Sequence, residues 1–153
     1  LEINHQLTPE KKKKVLAMAE DYGLTPFLSK KPSELSGGLK QRAALVRTMA
    51  MEPDILLLDE PFSALDYQTR LNVSADICRI IRSAQKTAIL ITHDLSEGIS
   101  LSDRVIVLSS RPARVVKEIP IRLTLRDDSL LAARNAPEFK TYFNLLWEEL
   151  NHG

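Results

Sequence analysis

The chain is poor in cysteine, in glycine, in net charge and in long apolar runs, and each shortage excludes a class of protein. One cysteine in 153 residues, Cys78, rules out an internal disulfide framework and any metal site built from several thiolates. Lys+Arg 21 against Asp+Glu 20 leaves a net charge of +1, so no global field recruits nucleic acid or an anionic membrane. The longest apolar stretches, such as Ile55 to Leu58 and Val105 to Leu108, are strand-sized and far short of a membrane span. The N-terminus, LEINHQLTPEKKKK, has no secretory apolar region and starts with Leu, which reads as a cut or processed start. Glycine numbers 5, about half the usual share: Gly23, Gly37, Gly38, Gly98 and Gly153.

What is present is an ordinary globular composition, 44% hydrophobic and 27% charged, which excludes disorder. Thr8-Pro9 and Gly23 bracket a first helix as N-cap, first-turn proline and left-handed C-terminal residue. The lysine run 11–14 belongs to its solvated side, because no aromatics interleave with it. Pro26 and Pro32 mark a loop, and a second helix starts at Ser36-Gly37-Gly38 and ends near Met51, before Pro53. Asp54 to Asp59 is a wholly apolar run closed by acids, the pattern of a strand buried on both faces. Asp66 caps a long helix to about Ser83 with Leu71, Ile77, Cys78 and Ile81 inward. Strands at 87–92 and 104–108 flank a short helix over 95–101, and Pro120 places the strand 115–121 at an edge. Strand, helix, strand, helix, strand is the order of an α/β fold with a mostly parallel sheet flanked by helices. Residues 137–151 set Phe139, Tyr142, Phe143, Leu146, Trp147 and Leu150 along one face of a terminal helix that docks, by default on the core of the same chain and alternatively on another subunit.

Four short segments can carry chemistry. Ser36, Gly37, Gly38 and Leu39 open a helix whose first N–H groups are unpaired and whose dipole favours an anion, although a plain N-cap reads the same way. Asp59 and Glu60 stand at the C-terminal end of a strand, where α/β sheets bind ligands; an acid pair there suits Mg²⁺ and an attacking water. Ser63 to Asp66 alone is an N-cap. His93 ends the next strand and can donate a ring N–H to a phosphate, while His5 and His152 near the termini carry no assignment.

In this order and spacing the segments resemble the nucleotide-binding subunit of ABC transporters, from about Leu24 to Ile121. Leu35-Ser-Gly-Gly-Leu-Lys-Gln-Arg42 looks like the signature motif, Ile55 to Glu60 like Walker B, Ser63 to Asp66 like the D-loop and His93 like the switch histidine. The stretches 59–66, 92–98 and 101–108 look like bacterial importers of the nitrate, sulfonate and taurine type. That group often carries an apolar residue such as Leu39 after the signature glycines; Gly98, where alanine is commoner, is a mild departure.

The resemblance implies a partial P-loop NTPase fold: the end of a helical subdomain over 1–52, the C-terminal part of the RecA-like ATPase core over 53–124, and a helical tail over 125–153. It implies ATP and Mg²⁺ as cofactors, with Asp59 toward the metal, Glu60 as general base, His93 as γ-phosphate sensor and Asp66 setting geometry between subunits. Ser36, Gly37, Gly38 and Leu39 would complete the nucleotide site of a second, head-to-tail ATPase subunit. The other implied partners are a transmembrane permease and a periplasmic or lipoprotein solute-binding protein, with no nucleic acid, which places the chain at the cytoplasmic side of the membrane.

None of the five glycines starts the G-x-x-x-x-G-K-[ST] loop that cradles phosphates, and no adenine-stacking segment or Q-loop precedes the signature. The chain is therefore expected to be the C-terminal part of a longer subunit, lacking the Walker A strand and loop and inactive alone. Its 87–92 and 104–108 strands are expected to present unpaired edges that invite self-association. The alternative is a natural truncated paralogue acting as a non-enzymatic regulatory partner. A DNA-maintenance ATPase sharing the signature is disfavoured, since the interval from Ser36 to Asp59 leaves no room for a coiled-coil or zinc insertion.

Overall fold

A computed structural model describes residues 8–124 and 130–152. Chain contacts divide it into two compact units, residues 1–89 and 90–153.

The first unit opens with α1 (Pro9–Asp21), capped by the Thr8 hydroxyl, which accepts from the Lys11 N–H at 3.2 Å. Gly23 takes the left-handed φ of 68° that ends the helix. Two bonds close this end, Gly23 N–H to the Glu20 carbonyl at 2.9 Å and Leu24 N–H to that of Ala19 at 2.7 Å. Buried Ala19 and Leu24 then pack with Val46 of α2 (Gly37–Met49). The proline-marked loop between the helices is wound into two short 3₁₀ turns, Thr25–Phe27 and Pro32–Glu34.

Beyond α2 the chain alternates: β1 (Ile55–Asp59), α3 (Tyr67–Ser83), β2 (Thr87–Ile91), with β1 hydrogen-bonded to β2. Helix α3 buries Leu71, Val73, Ser74, Ile77, Ile80 and Ile81, whereas Cys78, expected on that face, is only half-buried. The expectation that β1 is buried on both faces also fails. Leu56 is buried, but Leu57 is 71% exposed and Ile55 is exposed beside it. Alternate side chains of a strand face opposite sides of the sheet, so β1 is covered on one face only. Exposed Ile89 adds to the same unit's uncovered apolar surface.

The second unit holds α4 (Leu95–Leu101), β3 (Arg104–Leu108), β4 (Val115–Pro120), α5 (Leu130–Arg134) and α6 (Phe139–His152). Strands β3 and β4 form an antiparallel hairpin with Arg104 opposite Pro120, and the register shifts between Val107 and Leu108. The described ladders are thus two separate pairs, β1–β2 and β3–β4, and the proline strand has only β3 beside it. Ile106 and Leu108 are exposed on one face of β3.

Buried Ile99, Val107, Ile119, Ile121 and Leu146 form the core, with Phe139, Tyr142, Phe143 and Leu145 of α6 against it. Trp147 and Leu150 do not dock as expected. Trp147 is 57% exposed, because it follows Leu146 by one residue and so points about 100° around the helix from the buried direction. Leu145 faces the core in its place, and the Trp147 ring stacks on Phe143 with centroids 6.4 Å apart.

Candidate functional site

The signature segment, the acid pair and the D-loop-like turn all lie in the first unit. Ser36 caps α2, its hydroxyl accepting from the Leu39 N–H at 3.4 Å. The N–H groups of Gly37 and Gly38 head the helix with no carbonyl one turn back to receive them. The Leu39 side chain is partly buried and packs against the α1–α2 core of Ala19, Leu24 and Val46.

The two glycines are explained by packing as much as by access for an anion. A Cβ on Gly37 would meet Leu65 Cδ2 at 2.8 Å, and one on Gly38 would meet Val73 Cγ2 at 2.7 Å and Thr69 Cγ2 at 3.3 Å. The start of α2 is therefore pressed onto the turn before α3 and onto α3 itself. Arg42 strengthens this junction by pairing with Asp76 of α3, which also pairs with Arg79. Val73 is β-branched, helical and buried, and cannot swing aside, whereas the Leu65 tip is more flexible. Gly38→Ala is expected to lower stability by about 1–2 kcal/mol despite alanine's higher helix propensity, and Gly37→Ala by less. Urea unfolding of the two variants checks the order.

Asp59 ends β1 exposed, and Glu60 follows it with φ 44°, a left-handed conformation that a non-glycine residue holds only under constraint. The constraint is the next turn. The Ser63 hydroxyl donates to the Glu60 carbonyl at 2.9 Å, and the Ser63 N–H does so at 3.3 Å. Phe62 sinks into the core, and the Leu65 N–H returns to its carbonyl at 3.1 Å. No sequence signal marked Glu60 as strained. Asp59 and Glu60 border an open cleft of about 250 Å³ walled by Gln41 and Thr48 of α2 and by Ile77 of α3.

Asp66 caps α3, its Oδ1 accepting from the Thr69 N–H at 3.0 Å. Hydrogen bonds from Thr69, the side chain foremost and then the backbone, hold its carboxyl below the ordinary aspartate value. It therefore stays charged at neutral pH.

His93 belongs to the second unit, exposed in the turn between β2 and α4. Asp94 caps α4, its Oδ1 accepting from the N–H groups of Ser96 at 2.8 Å and Glu97 at 3.3 Å. Glu97 itself is buried, a feature that sequence reasoning missed because nothing local distinguishes a buried glutamate from a solvated one.

Among the described residues no three His, Cys, Asp or Glu side chains cluster as a metal cage. A single strand-end carboxylate fits a Mg²⁺ that takes its other ligands from phosphate and water, which is how that ion is commonly held. ATP is fitted only in part: the acids and the capped helix are present, and no phosphate loop occurs in the 153 residues.

Comparison with known proteins gives one consistent picture. The family model described as ABC transporter matches residues 1–63. YtlC, an uncharacterized ABC transporter ATP-binding protein of Bacillus subtilis (strain 168), is 44% identical over 151 residues, covering 99% of this chain and 58% of YtlC. The aliphatic sulfonates import ATP-binding protein SsuB 2 of Pseudomonas syringae pv. tomato is 43% identical over 128 residues, 82% of this chain and 55% of that protein. Among solved structures, cbiO1 of Clostridium perfringens, part of the ABC transporter complex cbiONQ, superposes with a TM-score of 0.65 at 27% identity. That match covers 76% of this chain and 46% of cbiO1. The chain thus spans little more than half the length of the curated relatives it matches.

Proposed function

Because the chain belongs to the family of ABC transporter ATP-binding proteins and is a partial ABC ATPase, we propose that it forms the signature and Walker B part of an importer's ATP-hydrolysing subunit. The observation that carries this reading is the junction in the first unit. One packed assembly joins the capped helix at Ser36–Gly38, the strand-end acids Asp59 and Glu60, and the turn leading to Asp66.

In the proposed roles Asp59 holds Mg²⁺ through water, and Glu60 orients an attacking water and accepts its proton. His93 donates a ring N–H to the terminal phosphate, and Asp66 stands at the contact between subunits. Bound Mg²⁺ supplies charge neutralisation at the phosphates. Ser36 and the N–H groups of Gly37 and Gly38 would bind the nucleotide of a second, head-to-tail subunit. The further partners are a permease and a solute-binding protein. Among the described residues no helix is long and apolar enough to cross a membrane, so attachment at the cytoplasmic face would be through the permease. The cargo we propose is a small anion of the nitrate, sulfonate or taurine kind, supported by the identity with SsuB 2.

A second reading uses the signature segment alone: the chain acts as a non-enzymatic partner that lends Ser36, Gly37 and Gly38 to an intact subunit. One experiment addresses both. Titration calorimetry of the 153-residue chain with MgATP is expected to give no micromolar binding, and phosphate release no turnover. The chain added to a complete subunit, disabled at its own signature serine, is expected to restore turnover. Micromolar binding with hydrolysis by the chain alone, or no effect on the mixture, overturns the proposal.

A further inference from the structure

Glu97 is 3% exposed, a carboxylate inside the second unit that none of the proposed steps uses. Burying a carboxylate is costly unless donors surround it. One donor is the Thr92 hydroxyl, which gives its only proton to Glu97 Oε2 at 2.7 Å. The same hydroxyl oxygen accepts from the Asp94 N–H at 3.1 Å. Asp94 then returns to α4 through its Oδ1, which accepts from the N–H groups of Ser96 and Glu97. Thr92 and Asp94 are the two neighbours of His93. The hydroxyl can serve the Asp94 N–H in one orientation because Glu97 takes its proton.

We infer that Glu97 is a positioning residue: acting through Thr92, it fixes the backbone on both sides of His93 and so sets where the imidazole is presented. The histidine is exposed while the bonds that aim it are part-buried. Such an arrangement keeps the ring at the surface and denies the turn a choice of shape. This inference rests on the proposed role of His93 only for its purpose. Its test needs no nucleotide, so failure of the lock and failure of the ATPase reading are separate results.

The test is nuclear magnetic resonance on the 153-residue chain. In the wild-type protein the Thr92 hydroxyl proton is expected in slow exchange, with cross-relaxation to the Asp94 amide and the Glu97 side chain. In Thr92→Val and Glu97→Ala the Asp94 amide is expected to exchange at least about tenfold faster, and the His93 ring signals to broaden or split. Thr92→Ser and Glu97→Gln keep a hydroxyl donor and a side-chain acceptor, and are expected to restore wild-type behaviour. Ile119→Val, a core change elsewhere in the unit, reports how far general destabilisation alone moves the Asp94 amide. The inference is overturned if Glu97→Ala leaves Asp94 exchange and the His93 signals at wild-type values, or changes them no more than Ile119→Val does. Should the disruptive variants fail to fold, the wild-type hydroxyl proton decides: its absence overturns the lock.

Discussion

Glu60→Gln in a complete subunit carrying these residues is expected to lower the turnover of ATP by about 10²–10⁴-fold, the usual contribution of a general base. Glutamine keeps the shape and can still orient a water, but cannot accept its proton, so the loss falls on kcat with KM little changed. Steady-state phosphate release measures it. The left-handed φ of 44° supplies a control that a base at an ordinary strand end would not offer. Glu60→Gly removes the carboxylate and also relieves a backbone conformation worth about 1–3 kcal/mol. Both variants are therefore expected to lose turnover, while the glycine variant alone gains resistance to urea. Wild-type turnover in Glu60→Gln would remove Glu60 from the proposed chemistry.

Phe62→Ala is expected to cost about 3–5 kcal/mol of stability, the usual toll of removing a buried aromatic side chain. At 1% exposure Phe62 is among the most completely buried large side chains described. Its neighbours in sequence are exposed or half-buried: Pro61, Ser63 and Ala64. One ring therefore anchors the whole turn that bends Glu60 and presses Leu65 against Gly37. A loss of that size consumes much of the stability of an ordinary domain. Leu57→Ala, at an exposed position of the adjoining strand, is the comparison and is expected to stay within about 0.5 kcal/mol. Urea unfolding followed by circular dichroism at 222 nm distinguishes them; equal midpoints would show that Phe62 anchors nothing.

Local cues in the sequence located most elements closely. Thr8, Ser36 and Asp66 each cap the helix they were expected to cap, because a cap is a contract between residues three apart. Gly23 ends α1 for an equally local reason, its freedom at positive φ. Helix α5 was not legible: at five residues it is too short to show a full period of apolar residues. Trp147 was misplaced because a wide apolar stripe on α6 left open which residues would face the core, and the packing of Ile99, Val107 and Ile119 selected Leu145.

For the candidate site the division runs the same way. The identities and order of Ser36, Gly37, Gly38, Leu39, Asp59, Glu60, Asp66 and His93 were legible, and the family resemblance rested on the motifs they belong to and on the stretches 92–98 and 101–108. That the glycines make room for Leu65 and Val73 was not, nor was the strain at Glu60 or the burial of Glu97 behind Thr92.

The shortage of glycine with which the sequence is first read therefore has two sources. The absence of a phosphate loop is a property of the sequence alone, decided by which residues follow which. The need for Gly37 and Gly38 was decided by tertiary structure, since a Cβ there collides with side chains about 30 residues further along the chain. Short-range order is written in neighbouring residues; which of two helices must yield space to the other is fixed only when they pack.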